Sequence, residues 1–153
     1  MSTNFDTLTN VTTDLEGAIT SVQVYDVDMD PNHVLPRNRE WYVAVQWQVK
    51  GLCAPGLGGD WHIRVNLESM GGGFEGTVKE QIVSVNSIAP ALTLNYAETI
   101  ALPSPNTIGG FNAGAYKLIV IITHTNTGGG VTKRTRMAGF YESYLLEFTD
   151  FDL

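Results

Sequence analysis

Charge is scarce in this sequence. Only 16% of its 153 residues are Asp, Glu, Lys or Arg, against about 25% in an average soluble domain. Basic residues are missing altogether from Met1 to Pro36 and from Met137 to Leu153. Cysteine occurs once, at Cys53, which excludes an internal disulfide and a thiolate metal framework. No apolar run reaches the ~18 residues of a membrane-spanning helix. Met1–Asp14 lacks the basic start and apolar stretch of a signal peptide. The expected location is therefore cytoplasmic by default, with an extracellular or assembly-associated role left open. A net charge of −7 argues against nucleic acid as the main partner, because phosphate binding needs a basic surface. With 43% apolar residues, the chain is also too hydrophobic for an acidic disordered segment.

Catalytic motifs are missing too. His33, His62 and His124 stand at none of the spacings typical of paired metal ligands. There is no Gly-x-Ser-x-Gly elbow for a hydrolase nucleophile. Cys53 has no basic neighbour nearer than Lys50 to activate its thiolate. Gly56-Leu57-Gly58-Gly59 and the triplets Gly71–Gly73 and Gly128–Gly130 lack the Lys-Ser/Thr and helix of a phosphate loop. Neither Glu68 with Glu75 nor Glu142 with Glu147 is placed by its spacing across a cleft, as a glycosidase requires. The expectation is a protein that is not an enzyme, with no catalytic residues and no cofactor apart from a weak Ca²⁺ candidate.

What the sequence does have is a period of two. Trp41, Val43, Val45, Trp47 and Val49 alternate with Tyr42, Ala44, Gln46, Gln48 and Lys50. Trp61, Ile63, Val65 and Leu67 alternate with His62, Arg64, Asn66 and Glu68, and Tyr116–His124 forms a third such run. Weaker runs cover Ile19–Val27, Thr77–Val85, Leu92–Leu102 and Arg136–Phe148. Alternation puts one set on a buried sheet face and the other toward water. Gly/Pro clusters at 51–60, 71–73, 103–110 and 128–130 separate the runs. Seven or eight short strands with this punctuation predict a single all-β antiparallel sandwich, with a barrel as the lesser alternative. The predicted domain spans 1–153, with 1–17 as an N-terminal arm and 18–153 as the sandwich.

Asn112-Ala113-Gly114-Ala115-Tyr116-Lys117-Leu118 resembles the approach to strand F of immunoglobulin-like domains. There a small residue and a tyrosine follow an acid at alternate positions, and the tyrosine hydroxyl ties back to the loop. Asn112 stands in place of the acid and Leu118 in place of the cysteine. The resemblance implies a sandwich with Trp47 as a candidate core tryptophan. Gly59-Asp60-Trp61 also matches the short Gly-x-Trp signature of lipocalin-like barrels, but far from the N-terminus.

Asp26, Asp28 and Asp30 have the Asp-x-Asp-x-Asp spacing of a calcium loop, but Pro31 and Arg37 occupy the Gly and Glu positions of an EF-hand. They are retained as a metal candidate requiring carboxylates from elsewhere in the chain. The most informative excess is apolar. Leu118–Ile122 is apolar on both faces, whereas the outer face of an antiparallel sandwich ordinarily meets water. If the run pairs as a hairpin with Tyr141–Phe151, Ile119, Ile121, Tyr141 and Leu145 are expected to share one outer face. A cover is then needed: a second copy, or Met1–Leu15 folded down through Phe5, Leu8 and Val11. Lys133, Arg134 and Arg136 are the expected basic counterpart of the acidic chain ends. The leading expectation is a structural or interaction protein that self-associates into a homo-oligomer or filament. The alternative is a small-ligand or carbohydrate-binding module, Ca²⁺-assisted, stacking sugars on Trp41, Tyr42 or Trp61. Of these, Trp41 and Trp61 fall on inward sets.

Overall fold

The computed structural model describes residues 3–4, 15–51, 54, 57–85, 93–128 and 130–150. Among these residues nine strands follow in order: β1 Thr3–Asn4, β2 Glu16–Tyr25, β3 Val34–Pro36, β4 Trp41–Lys50, β5 Asp60–Ser69, β6 Gly76–Ser84, β7 Thr93–Leu102, β8 Gly114–Gly128 and β9 Val131–Thr149. The seven long strands are the seven alternating runs of the sequence; the two short ones add an edge to each sheet. Pro105–Thr107 forms a single 3₁₀ turn. No helix among the described residues is long and apolar enough to cross a membrane.

The strands form two sheets, not a closed barrel. Sheet A has the order β1-β2-β4-β7 and sheet B the order β3-β9-β8-β5-β6. All pairings are antiparallel except β3 with β9. β2-β4-β7 and β9-β8-β5 correspond to the A-B-E and G-F-C orders of an immunoglobulin-like sandwich. The tyrosine corner forms as the sequence implies: the Tyr116 hydroxyl donates to the Asn112 carbonyl at 2.7 Å.

The core is made by the inward sets of both sheets. Trp41, Val43, Val45, Trp47 and Val49 from β4 face Trp61, Ile63, Val65 and Leu67 from β5 and Leu118, Val120 and Ile122 from β8, all at most 2% exposed. Trp47 stacks on Tyr96 with 5.2 Å between ring centres and meets Trp61 edge-on at 6.4 Å. The position corresponding to the strand-C tryptophan of immunoglobulin-like domains belongs to Trp61 on β5, while Trp47 lies on the partner sheet. Leu15 is already buried, so the sandwich begins before the expected boundary at residue 18.

The open side between edge strands β6 and β7 is guarded by polar side chains turned inward. Gln81 Nε2 donates to Glu98 Oε1 at 3.4 Å across it. Inward polar groups of this kind discourage further strands from adding to an edge. At the opposite corner Arg37 donates to Asp150 Oδ1 and, at 2.7 Å, to the Phe111 carbonyl, which fastens the end of β9 to the loop before β8.

Candidate functional site

The outer face of sheet B is the first candidate. Ile119 and Ile121 of β8 lie half-buried on it, with Phe140 of β9 opposite Ile121. Phe140 is 57% exposed and Leu145 is 50% exposed. Ile119, Ile121, Ala138, Gly139 and Phe140 line a shallow groove of about 310 Å³. Charged pairs flank the strip. Lys117 Nζ lies 3.1 Å from Glu142 Oε1, and Glu80 reaches His62 at 3.0 Å and Arg64 at 3.6 Å. The Glu142 carboxylate raises the Lys117 ammonium above its ordinary pKa through its hydrogen bond and charge.

Tyr141 is not part of this face, contrary to the sequence expectation. Lys117 pairs with Leu145 but Ile119 pairs with Glu142, so β9 spends three residues where β8 spends two. One extra residue inverts the parity of a strand. Odd-numbered residues of β9 point out after the bulge and even-numbered ones before it. Leu145 therefore faces water, whereas Tyr141 sits opposite Val120 and packs against the core. Phe140, which the alternation did not single out, takes the place expected of Tyr141.

Lys133 and Arg134 belong to β9 rather than to a loop, because the hairpin turn is as tight as Gly128–Val131. Both are exposed, at the end of the sandwich opposite Asp26–Asp30. Arg136 also lies on β9, but its side chain is outside the described residues, as are Asp6, Asp14 and Asp152 among the acids of the chain ends. Residues 5–14, assigned a covering role as the alternative to a second copy, are likewise outside them; Thr3–Asn4 pairs with Ala18–Ile19 at the edge of sheet A.

The carboxylate of Asp26 is turned into its own loop. Asp26 Oδ1 accepts from the backbone N–H groups of Asp28 and Asp30, both at 3.0 Å, and Oδ2 lies 3.4 Å from Asn32 Nδ2. Those bonds, chiefly the one from Asp30, hold the Asp26 carboxyl below its ordinary pKa. The carboxylate thus organises its own turn. Among the described residues no group of three His, Cys, Asp or Glu side chains gathers as a metal site.

His124 is buried, 1% exposed, at the basic end. Its Nε2 lies 2.6 Å from the Gly58 carbonyl and its Nδ1 lies 3.0 Å from Thr135 Oγ1. A carbonyl only accepts, so Nε2 carries the proton, while Nδ1 shares the Thr135 hydroxyl with the His124 carbonyl, 3.2 Å from the same Oγ1. Burial lowers its pKa from 6.5, and nearby His62 adds to this; the Gly58 bond and the Asp60 charge oppose the shift. A histidine held neutral when folded stabilises fully above its unfolded pKa. That stability is lost as pH falls through about 6.5 toward the lower folded value, since the unfolded chain then binds the proton first. Urea midpoints are expected to drop below pH 6.5, and His124→Gln is expected to flatten that dependence. An unchanged slope in the variant contradicts the assignment.

The outer face of sheet A is different in kind. Across β2, β4 and β7 its rows are Tyr25–Tyr42–Ala101, Gln23–Ala44–Thr99, Ser21–Gln46–Ala97 and Ala18–Gln48–Asn95. None of these residues is charged. The first ion pair, Lys50 Nζ to Glu16 Oε1 at 3.0 Å, closes the face at one end. Gln48 Nε2 donates to Asn95 Oδ1 across the strands at 2.9 Å. Trp41 and Trp61 are fully buried and are no part of any surface.

These two faces belong to a protein of the all-β sandwich class, immunoglobulin-like in strand order. No protein-family model and no curated protein matches the chain. Among solved structures it is similar to the C-terminal domain of wzt, with 12% identity and a TM-score of 0.56, covering 87% of this chain and 73% of that one. It also overlaps part of a β-glucosidase from Listeria innocua in complex with glucose, with 12% identity and a TM-score of 0.48, spanning 92% of this chain but only 16% of the enzyme. At this identity the wzt domain supports the fold and nothing finer.

Proposed function

We propose that this protein is a non-catalytic interaction module that pairs with a second copy through the outer face of sheet B. The observation that carries the reading is the apolar strip Ile119, Ile121, Phe140 and Leu145 on a sheet face that ordinarily meets water. The charge pattern along β9 supports a two-fold, antiparallel apposition. Arg134 pairs with Thr125 and Glu147 with Ala115, so along β8 they lie five residues to either side of Val120, beside the Ile121–Phe140 pair, each about 16–17 Å away at ~3.3 Å per residue. Both are exposed. A two-fold axis near Phe140 sets Arg134 of each copy opposite Glu147 of the other, an isologous contact in which charge supplies register.

Light scattering coupled to size exclusion tests this. The wild type is expected to run as a dimer at tens of micromolar. Phe140→Lys or Ile119→Lys is expected to weaken association about 30-fold or more, the scale of a central anchor. Arg134→Glu is expected to weaken it less, and Glu147→Arg in the same chain to restore it. A wild type that is monomeric at high micromolar concentration overturns the proposal.

A further inference from the structure

We propose that the outer face of sheet A is a binding platform for a neutral oligosaccharide or polysaccharide, with Tyr42, Gln46 and Gln48 as its principal contacts. Four successive rows across three strands carry no charge, whereas the outer face of sheet B carries Arg64, Glu68, Glu80, Lys117, Glu142 and Glu147. A face that only had to stay wet would draw on the same charged residues as its counterpart. Instead it holds three of the chain's four glutamines, Gln23, Gln46 and Gln48, together with Asn95. An amide has two donors and a two-lone-pair acceptor in one plane; Gln23 uses one donor on the Val24 carbonyl at 3.1 Å and Gln48 one on Asn95, and the remaining capacity matches the donor-and-acceptor character of neighbouring sugar hydroxyls.

The relief of the face fits the same ligand. Ala44, Ala97 and Ala101 interleave with the amides, so the long side chains rise from a low floor. Rows repeat about every 7 Å along the strands, and strands lie ~4.8 Å apart, giving a flat grid instead of a deep pocket. Tyr25 and Tyr42 face one another across β2 and β4 at one end. Tyrosine offers an apolar ring for the C–H face of a sugar and a hydroxyl for its rim. Among the described residues of these four rows nothing balances a phosphate, sulfate or carboxylate, and Lys50 in the next row is already paired with Glu16, so the ligand is uncharged. The Gln48–Asn95 bond sets the orientation of two of the amides before binding, which lowers the entropy lost when a ligand is held.

This platform lies on the sheet opposite the proposed self-association face, so a dimer would display two of them pointing away from one another. Affinity electrophoresis tests it with dextran, mannan, galactan and amylose as neutral probes and heparin as the charged one. The wild type is expected to be retarded by at least one neutral polymer and not by heparin. Tyr42→Ala and, separately, Gln46→Ala are expected to weaken that retardation about tenfold; Gln46 is exposed, so its variant does not threaten the fold. Phe140→Lys is expected to retain binding at each site while losing avidity, which separates failure of the platform from failure of the dimer. Absence of retardation by all four neutral polymers, or retardation unchanged in both variants, overturns the proposal.

Discussion

Trp61→Ala is expected to destabilise the protein by about 3–5 kcal/mol, the range for emptying a buried tryptophan site. Trp61 is 0% exposed and sits on β5 at the junction of the two sheets. It meets Trp47 at 6.4 Å, Tyr96 at 5.7 Å and His124 at 5.0 Å, in each case edge to face. Removing it takes one side from every one of those contacts and leaves a cavity that three rigid rings cannot collapse into. Urea denaturation followed by circular dichroism measures the loss. Phe140→Ala is the matched control: that ring is 57% exposed, so its removal is expected to cost less than about 1 kcal/mol in the monomer. Similar losses in the two variants contradict the assignment of one ring to the core and the other to the surface.

Gly59→Ala is expected to cost about 3 kcal/mol, for two separate reasons. Gly59 adopts φ +86, a left-handed conformation that costs a residue with a Cβ ~1–2 kcal/mol. A Cβ there also falls 2.1 Å from the Thr125 carbonyl oxygen and 3.1 Å from His124 Nε2. The first of these is backbone of β8, which cannot swing aside, so strand and loop must separate at a further cost of ~1–3 kcal/mol. Gly110→Ala isolates the conformational part: Gly110 has φ +79 but open space around it. It is expected to cost about 1–2 kcal/mol. Equal losses at the two glycines contradict the close approach at Gly59. The double variant Gly59→Ala/His124→Ala is expected to recover little, because the main obstacle is the Thr125 carbonyl.

The architecture was legible because β4, β5 and β8 alternate cleanly over eight to ten residues, with glycine clusters beyond them. Alternation reports which residues share a face, and in β4 and β5 it placed Trp41, Trp47 and Trp61 correctly in the core. The tyrosine corner was legible for a similar reason: Asn112 and Tyr116 are four apart, so their bond is local. The candidate surface was harder to read. Its apolar excess was visible at Ile119 and Ile121, but a single bulge in β9 moved the aromatic from Tyr141 to Phe140. Nothing in Gly139-Phe140-Tyr141-Glu142 signals the extra residue downstream, because a bulge is set by pairing with β8 rather than by local preference. The Asp26–Asp30 spacing suggested a metal loop because spacing does not reveal where an oxygen's lone pairs are already engaged. The uncharged face of sheet A was hidden for a different reason. Gln23, Gln46, Gln48 and Asn95 lie on three strands far apart in sequence, and only the register brings them together.

Disulfide trapping at position 140 tests the self-association reading most directly. Cys53 is the only native thiol, so Phe140→Cys in a Cys53→Ser background carries one reporter. With a two-fold axis near residue 140, mild oxidation at tens of micromolar is expected to convert most of the protein to a covalent dimer within minutes. Cysteine at exposed Thr99, on the opposite sheet, is expected to cross-link slowly. Equal, slow cross-linking at both positions, with the wild type monomeric, would contradict pairing through this face.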